Sequence, residues 1–217
     1  MREQTRAERI ADGTVHVIGI ALGVAATIIL LTLVIPQEDA AGRIASISVY
    51  TACLMAMLIC SALYNMLAKN NHASWFRRFD HAAIFLMIAG TYTPFAAMVI
   101  GGWPGMLVLA VVWTGAITGA TIKLVRLQRF DKYTVPICLA LGWVIVFAYQ
   151  PLLQNASPLG FWLLVAGGAL YSAGTAFYAW KSLPFQNAIW HSFVLAAAIC
   201  HFGAILSDVA LTPALTT

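Results

Sequence analysis

Four residues with chemically useful side chains stand in two pairs, Ser61 with Asn65 and Asn187 with His191, each four positions apart. That spacing puts both members of a pair on one face of a helix. A third set, Glu8, Asp12 and His16, repeats the spacing twice and also shares one face. Asp80 and His81 are adjacent at the start of a further apolar stretch. Hydroxyl, carboxylate and imidazole groups so arranged can hold a metal ion, polarise water or move a proton. A helical pair of ligand-type residues is a common half of a metal site. Each pair alone also has a plain reading as a helix-end hydrogen bond, and Asp80 could simply cap a helix.

The elements that must position these residues follow from composition. The chain has 217 residues, is 61% hydrophobic, and only 9% is charged. A soluble domain carries about 25% charged residues. So few charges cannot cover a water-facing surface, and the expected class is an all-α polytopic membrane protein. The net charge of +4 is therefore read by position. No basic patch is interleaved with aromatics as a nucleic-acid binder requires. Cys53, Cys60, Cys138 and Cys200 lie in apolar runs without CxxC spacing and read as small buried hydrophobes. The polar start MREQTRAERIADG is unlike a cleavable signal, so the first span is expected to act as its own.

Seven apolar segments of spanning length can be drawn, in one domain over residues 1–217. They run over about 15–35, 44–68, 80–100, 104–125, 134–153, 159–180 and 188–211. With the N-terminus inside, the inner segments hold Arg2, Arg6, Arg9, Lys69, Arg77, Arg78, Lys123, Arg126, Arg129, Lys132 and Lys181, and the outer ones only Arg43. Eleven against one is a strong positive-inside bias. It favours an odd number of spans and a cytoplasmic N-terminus. Trp75, Trp103, Trp143, Trp180 and Trp190 read as interface anchors or helix-face residues. The small residues from Gly167 to Gly174 read as close helix packing.

This topology delivers His16, Asn65, Asp80, His81, Asn187 and His191 to the inner membrane face, each at the end of a span. Ionisable groups at membrane depth are costly and are functional candidates by default. His201 lies about 15 Å along the helix from His191 and cannot share its coordination shell. It either bonds a neighbouring helix or lines a cavity. Asp208 reads as a wet residue near the outer end, and His72 as a solvated loop residue.

Three motifs carry a family resemblance over nearly the whole chain. They are Glu8-x3-Asp12-x3-His16; Ser61-Ala-Leu-Tyr-Asn65 with the run FRRFDHAAIFLMIAGTYTPF; and Asn187-x3-His191-Ser-Phe-Val with His201-Phe202. The chain resembles the hemolysin III proteins of bacteria, within the superfamily of progestin and adipoQ receptors. The resemblance implies seven helices, an inner (plasma) membrane location, and zinc held by three histidines near the cytoplasmic side, with an aspartate holding a water. It also implies amide-hydrolase chemistry of the ceramidase kind, or a role in membrane lipid homeostasis.

Three positions depart from the family pattern. Asn65 and Asn187 stand where two zinc histidines are expected, leaving His191, and Asp12 stands where the family usually has Asn. An amide oxygen is a poor zinc donor. A weakly held metal leaves its water a poor nucleophile. Three readings stay open at the site. One keeps zinc hydrolysis, with Asp80 and Ser61 as catalytic groups and His191 as ligand. One replaces the metal by an amide network, with pairs contributing about 0.6–2 kcal/mol each. One recruits His16 or His81 beside His191 and Asp80. In function, a lipid-sensing or lipid-homeostasis protein with a degenerate zinc site is favoured over a lipid amide or ester hydrolase. Cytolysis is the third reading, although no span carries the polar stripe of a hydrated pore. Membrane lipids are the expected partners.

Overall fold

The computed structural model describes residues 4–38, 40–67, 73–126 and 131–211. His72 and Arg129 lie outside them. The described residues form eight α-helices without a strand: α1 Arg6–Val34, α2 Ala41–Ala62, α3 Ala73–Pro94, α4 Gly102–Val125, α5 Asp131–Gly142, α6 Tyr149–Asn155, α7 Pro158–Ala179 and α8 Gln186–Ile205. With their continuations they make seven helical segments long and apolar enough to cross a membrane: Arg6–Val34, Ala41–Leu67, Trp75–Ile100, Gly102–Val125, Asp131–Asn155, Pro158–Ala179 and Gln186–Ala210. The molecule is a multi-pass membrane protein.

The expected span starts need correction in one consistent way. α1 begins at Arg6, well before Val15, because Thr5 and Glu8 form a reciprocal capping box. His16 therefore lies nearly three turns inside its helix, and Asp80 about two turns inside α3. Neither is at a helix end, and Asp80 caps nothing. The polar residues meet below the helix termini, where burial makes their partners matter more.

The fifth span is broken. α5 stops at Gly142, a short 3₁₀ segment covers Val144–Ala148, and α6 follows. Backbone groups freed inside a membrane must find partners. Here the Tyr92 hydroxyl donates to the Gly142 carbonyl at 2.8 Å and accepts from the Ile145 N–H at 2.8 Å. One side chain thus heals the break.

α1 packs on α2 and α8, α2 on α3, α3 on α4, and α7 on α8. Small residues set the closest approaches. A Cβ on Gly90 would lie 2.6 Å from Cys53 Cβ, so α2 and α3 touch as only glycine permits. The buried stripe of α1 runs Glu8, Asp12, His16, Gly19, Gly23, Ala26, Leu30 and Val34. One face thus carries polar groups at its start and apolar packing for the rest.

Asp208 is not merely wet. Its carboxylate accepts from the Ser157 hydroxyl at 2.6 Å and the Ser157 N–H at 3.1 Å, tying the end of the last span to the N-cap of α7. Asp131 likewise pairs with Lys123 at 2.8 Å and Arg77 at 2.9 Å, joining α5, α4 and α3.

Candidate functional site

The site is built from α1, α2, α3 and α8. After Ala62, with Ser61 in its last turn, α2 passes into a π turn, Leu63–Leu67. In that turn Asn65 Nδ2 donates to the Ser61 carbonyl at 2.9 Å and lies 3.4 Å from Ser61 Oγ. π turns are frequent at functional sites because they re-aim side chains. On α8, Asn187 Nδ2 donates to Asn65 Oδ1 at 3.4 Å. The two asparagines thus meet as an amide pair, though a long one.

His191, one turn further along α8, carries the closest contact of the site. Its Nδ1 lies 2.6 Å from Asp12 Oδ1. A carboxylate only accepts, so the imidazole donates there. The other nitrogen, Nε2, faces Ser61 Oγ at 3.5 Å. Ser61 is also within hydrogen-bonding reach of Asp80. His16 lies beside His191 with the rings tilted at 52° and their centroids 4.5 Å apart, and its Nε2 lies 3.8 Å from Asp12 Oδ2. Asp12 is 1% exposed and His16 5%. Asp12 Oδ2 and His16 Nε2 have no hydrogen-bond partner. Such buried orphans require an explanation.

Glu8, expected in the same polar cluster, has a structural task. One oxygen accepts from the Thr5 N–H at 2.7 Å, and the other from the Phe185 N–H at 2.8 Å. Phe185 precedes α8 with φ of 57°, a left-handed conformation that is costly for a bulky residue. Glu8 therefore clamps the start of α1 to the start of α8.

These groups border a cavity of about 650 Å³ lined by His16, Ser61, Asn65, Asp80, His81, Asn187 and His191, with Arg77 and Lys181 also on its wall. A second cavity of about 250 Å³ is almost wholly apolar. The two share Met57, Ile84, Cys138, Tyr171 and Trp190 in their walls. His201 lines the apolar one and rests against Tyr171, with ring centroids 5.6 Å apart. Outside the spans, burial and then Arg77 push the Lys181 ammonium below its ordinary pKa.

The expected residues are brought together in a different pattern from the one read in the sequence. Asn65, Asn187, Ser61, Asp80 and His191 do converge. Of the two histidines considered for recruitment, His16 reaches His191, and His81 stands apart on the cavity wall. The tightest polar link joins α1 to α8, not α2 to α8. What sequence reasoning missed is the role of Asp12 as the partner of His191. The signal was available, since Asp12 is where the chain departs from the family asparagine.

Zinc at the family positions does not fit. The Asn65 amide oxygen already accepts from Asn187 Nδ2, and His191 alone offers a ring nitrogen there. Among the described residues, Asp12, His16 and His191 do form a group that could hold a metal ion, with one ligand atom from each within 4.8 Å of the others. Yet Asp12 Oδ1 and His191 Nδ1 stand at a hydrogen-bond distance of 2.6 Å. Two ligands of one tetrahedral zinc stand roughly 3.3 Å apart, from bonds of about 2.0 Å. Loading that group would first break the hydrogen bond.

Comparison with known proteins accords with this architecture. The family described as Haemolysin-III related matches residues 5–202. "Hemolysin-3" of Bacillus cereus is 38% identical over 199 residues, covering 92% of this chain and 90% of that protein. "Hemolysin-3 homolog" of Bacillus subtilis (strain 168) is 35% identical, covering 92% and 93%. The human "Monocyte to macrophage differentiation factor" is 28% identical over 166 residues, covering 72% and 67%. The chain belongs to the haemolysin-III-related family of membrane proteins, within the superfamily of progestin and adipoQ receptors.

Proposed function

We propose that this protein takes a membrane lipid into its intramembrane cavity and acts in lipid homeostasis or lipid sensing, in a bacterial inner membrane, without a zinc ion at the family positions. One observation carries the reading: a chamber of about 650 Å³ with a cluster of polar side chains on its wall adjoins an almost wholly apolar one of about 250 Å³, and the two share walls. That division matches an amphipathic ligand, with its carbonyl or headgroup at Ser61, Asn65 and Asn187 and its chain against Met87, Phe95 and Leu164. Basic Arg77 and Lys181 on the wall suit an anionic or strongly polar headgroup. The metal-free part rests on the amide pair at the two ligand positions.

The test is native mass spectrometry of the full chain released from mild detergent, with elemental analysis of the same sample. Retained lipid, lost when Ile84→Trp fills the shared wall, supports the reading. A chain that never carries lipid overturns it. Zinc below one per ten chains is expected in the parent, rising toward one per chain when Asn65→His and Asn187→His are combined. Stoichiometric zinc in the parent sinks the metal-free part. The Bacillus cereus relative bears the name hemolysin, so erythrocyte lysis by the purified protein is the matching check for cytolysis.

A further inference from the structure

We infer that Ser61, His191 and Asp12 form a metal-free acyl-transfer triad, with Asn65 and Asn187 supplying amide donors for the oxyanion, and that its substrate is a carboxylic ester of a membrane lipid. The substrate class rests on the lipid reading of the cavity. The triad itself rests on geometry.

The order of contacts is that of a nucleophile, a base and an orienting carboxylate. Ser61 Oγ faces His191 Nε2 at 3.5 Å, and His191 Nδ1 donates to Asp12 Oδ1 at 2.6 Å. The short bond fixes the tautomer, so Nε2 presents its lone pair to the hydroxyl. Ser61 and His191 line the cavity, while Asp12, which does not, is buried behind them. Hydrogen bonds to a nucleophile are often long without substrate and tighten on binding.

The three departures from the family pattern then have one meaning. Asp12, in place of asparagine, supplies the carboxylate that orients His191. Asn65 and Asn187, in place of histidines, supply N–H donors where a metal would otherwise carry the negative charge. Asn65 Nδ2 gives one N–H to the Ser61 carbonyl at 2.9 Å and aims the other at Ser61 Oγ at 3.4 Å. That second N–H is the one that turns to the oxyanion once Oγ is acylated. Asn187 Nδ2 spends one N–H on Asn65 Oδ1 and keeps a second. Donors of this kind lower the barrier when they point at the developing oxyanion.

The reaction balances without a metal. Ser61 Oγ bonds to the ester carbonyl carbon while its proton passes to His191 Nε2. The carbon–oxygen bond to the alcohol then breaks, and His191 returns that proton to the leaving oxygen. Water attacks the acyl-serine, giving a proton to His191. Ser61 leaves with that proton, and a free fatty acid is released. Asp12 takes no part in the proton transfers and acts as a positioning residue.

The probe is a fluorophosphonate, whose P–F bond breaks as Ser61 Oγ bonds to phosphorus and fluoride departs. Intact protein in mixed micelles is labelled and its peptides are read by mass spectrometry. One adduct on Ser61 is expected, unaffected by a chelator and absent in Ser61→Ala. Asp12→Asn should slow labelling by about 10³–10⁴-fold at an unchanged melting temperature. In that variant, 15N-histidine NMR should show the His191 proton moved from Nδ1 to Nε2. No adduct on Ser61 in the parent overturns the triad whatever the variants do. So does labelling abolished by Asp80→Asn but not slowed by Asp12→Asn, which would make Asp80 the base. Lipid retained without an adduct sinks the triad and leaves the lipid reading standing. An adduct on a chain that never carries lipid keeps the triad and removes the lipid substrate.

Discussion

The two ends of the helical bundle use polar residues in opposite ways. At the end opposite the basic cluster, Ser157 bonds Asp208, Arg43 bonds Gln37, and these side chains also bond the backbone. Asp208 takes both donors of Ser157, and Ser157 Oγ in turn accepts from the Gly160 N–H at 2.9 Å. Gln37 donates to the carbonyls of Leu33 and Ala210 and accepts from Arg43 at 2.7 Å. At the basic end, Asp12 Oδ2, His16 Nε2 and His81 Nδ1 are buried without a hydrogen-bond partner, close to a cavity. A buried polar group that closes its bonds fastens the fold. One that leaves an atom open beside a cavity costs stability, and such costs are found where function requires them.

The comparison breaks first on stability. Asp208→Ala removes two hydrogen bonds to a charged carboxylate and the support of the α7 cap. Bonds to charged groups contribute about 1.5–3 kcal/mol each. Because Asp208 is only half-buried, a loss of about 3 kcal/mol in all is expected, read as a lowered midpoint of thermal unfolding in detergent. A midpoint equal to the parent would mean that this end is no better fastened than the other.

Glu8→Ala comes next, with a loss of about 2 kcal/mol, of which about 1 is the helix cap. Glu8 stands at the basic end but behaves like the far one, since both oxygens are spoken for. Glu8→Gln keeps one acceptor and should recover about half of the loss. If Glu8→Ala instead left stability intact and emptied the cavity of lipid, Glu8 would belong with the open groups.

Much of this was legible in the sequence, and the part that was not has a physical reason. Seven spans were legible because twenty consecutive apolar residues have few other uses. The face shared by Glu8, Asp12 and His16 was legible because helical periodicity is local. Helix starts were misplaced because apolar content was taken as the boundary, whereas Thr5 and Glu8 set the start of α1 by capping. The break in the fifth span was invisible, because the residue that heals it, Tyr92, is 50 positions away from Gly142. Asn65 and Asn187 were legible as a pair of helix-end amides, and they meet at 3.4 Å. That His191 turns to Asp12 on α1 depends on helix rotation, which spacing along one chain does not give.

A smaller effect tests the amide pair. Interhelical hydrogen bonds in membranes average about 0.6 kcal/mol. At 3.4 Å the bond from Asn187 to Asn65 is long, so Asn187→Ala should cost no more than that. A loss of 2 kcal/mol or more would make the pair a fastening of the last helix and weaken its assignment as a donor to substrate.

The smallest expected change in stability is the most informative. Asp12→Asn keeps the 2.6 Å contact with His191 as an amide N–H donated to Nδ1, the tautomer change that costs the triad its base. Its neutral oxygen then stands in place of the orphaned Oδ2, facing the orphaned His16 Nε2 3.8 Å away. A buried charge with an open oxygen is replaced by a neutral group whose donor has an acceptor in front of it. Stability should therefore stay within about 0.5 kcal/mol of the parent or rise slightly. A carboxylate kept for the fold would behave like Asp208, and its loss would lower the melting temperature by several degrees. An Asp12→Asn chain that melts with the parent has lost nothing the fold needs, which leaves the chemistry at His191 as the reason for a buried carboxylate on α1.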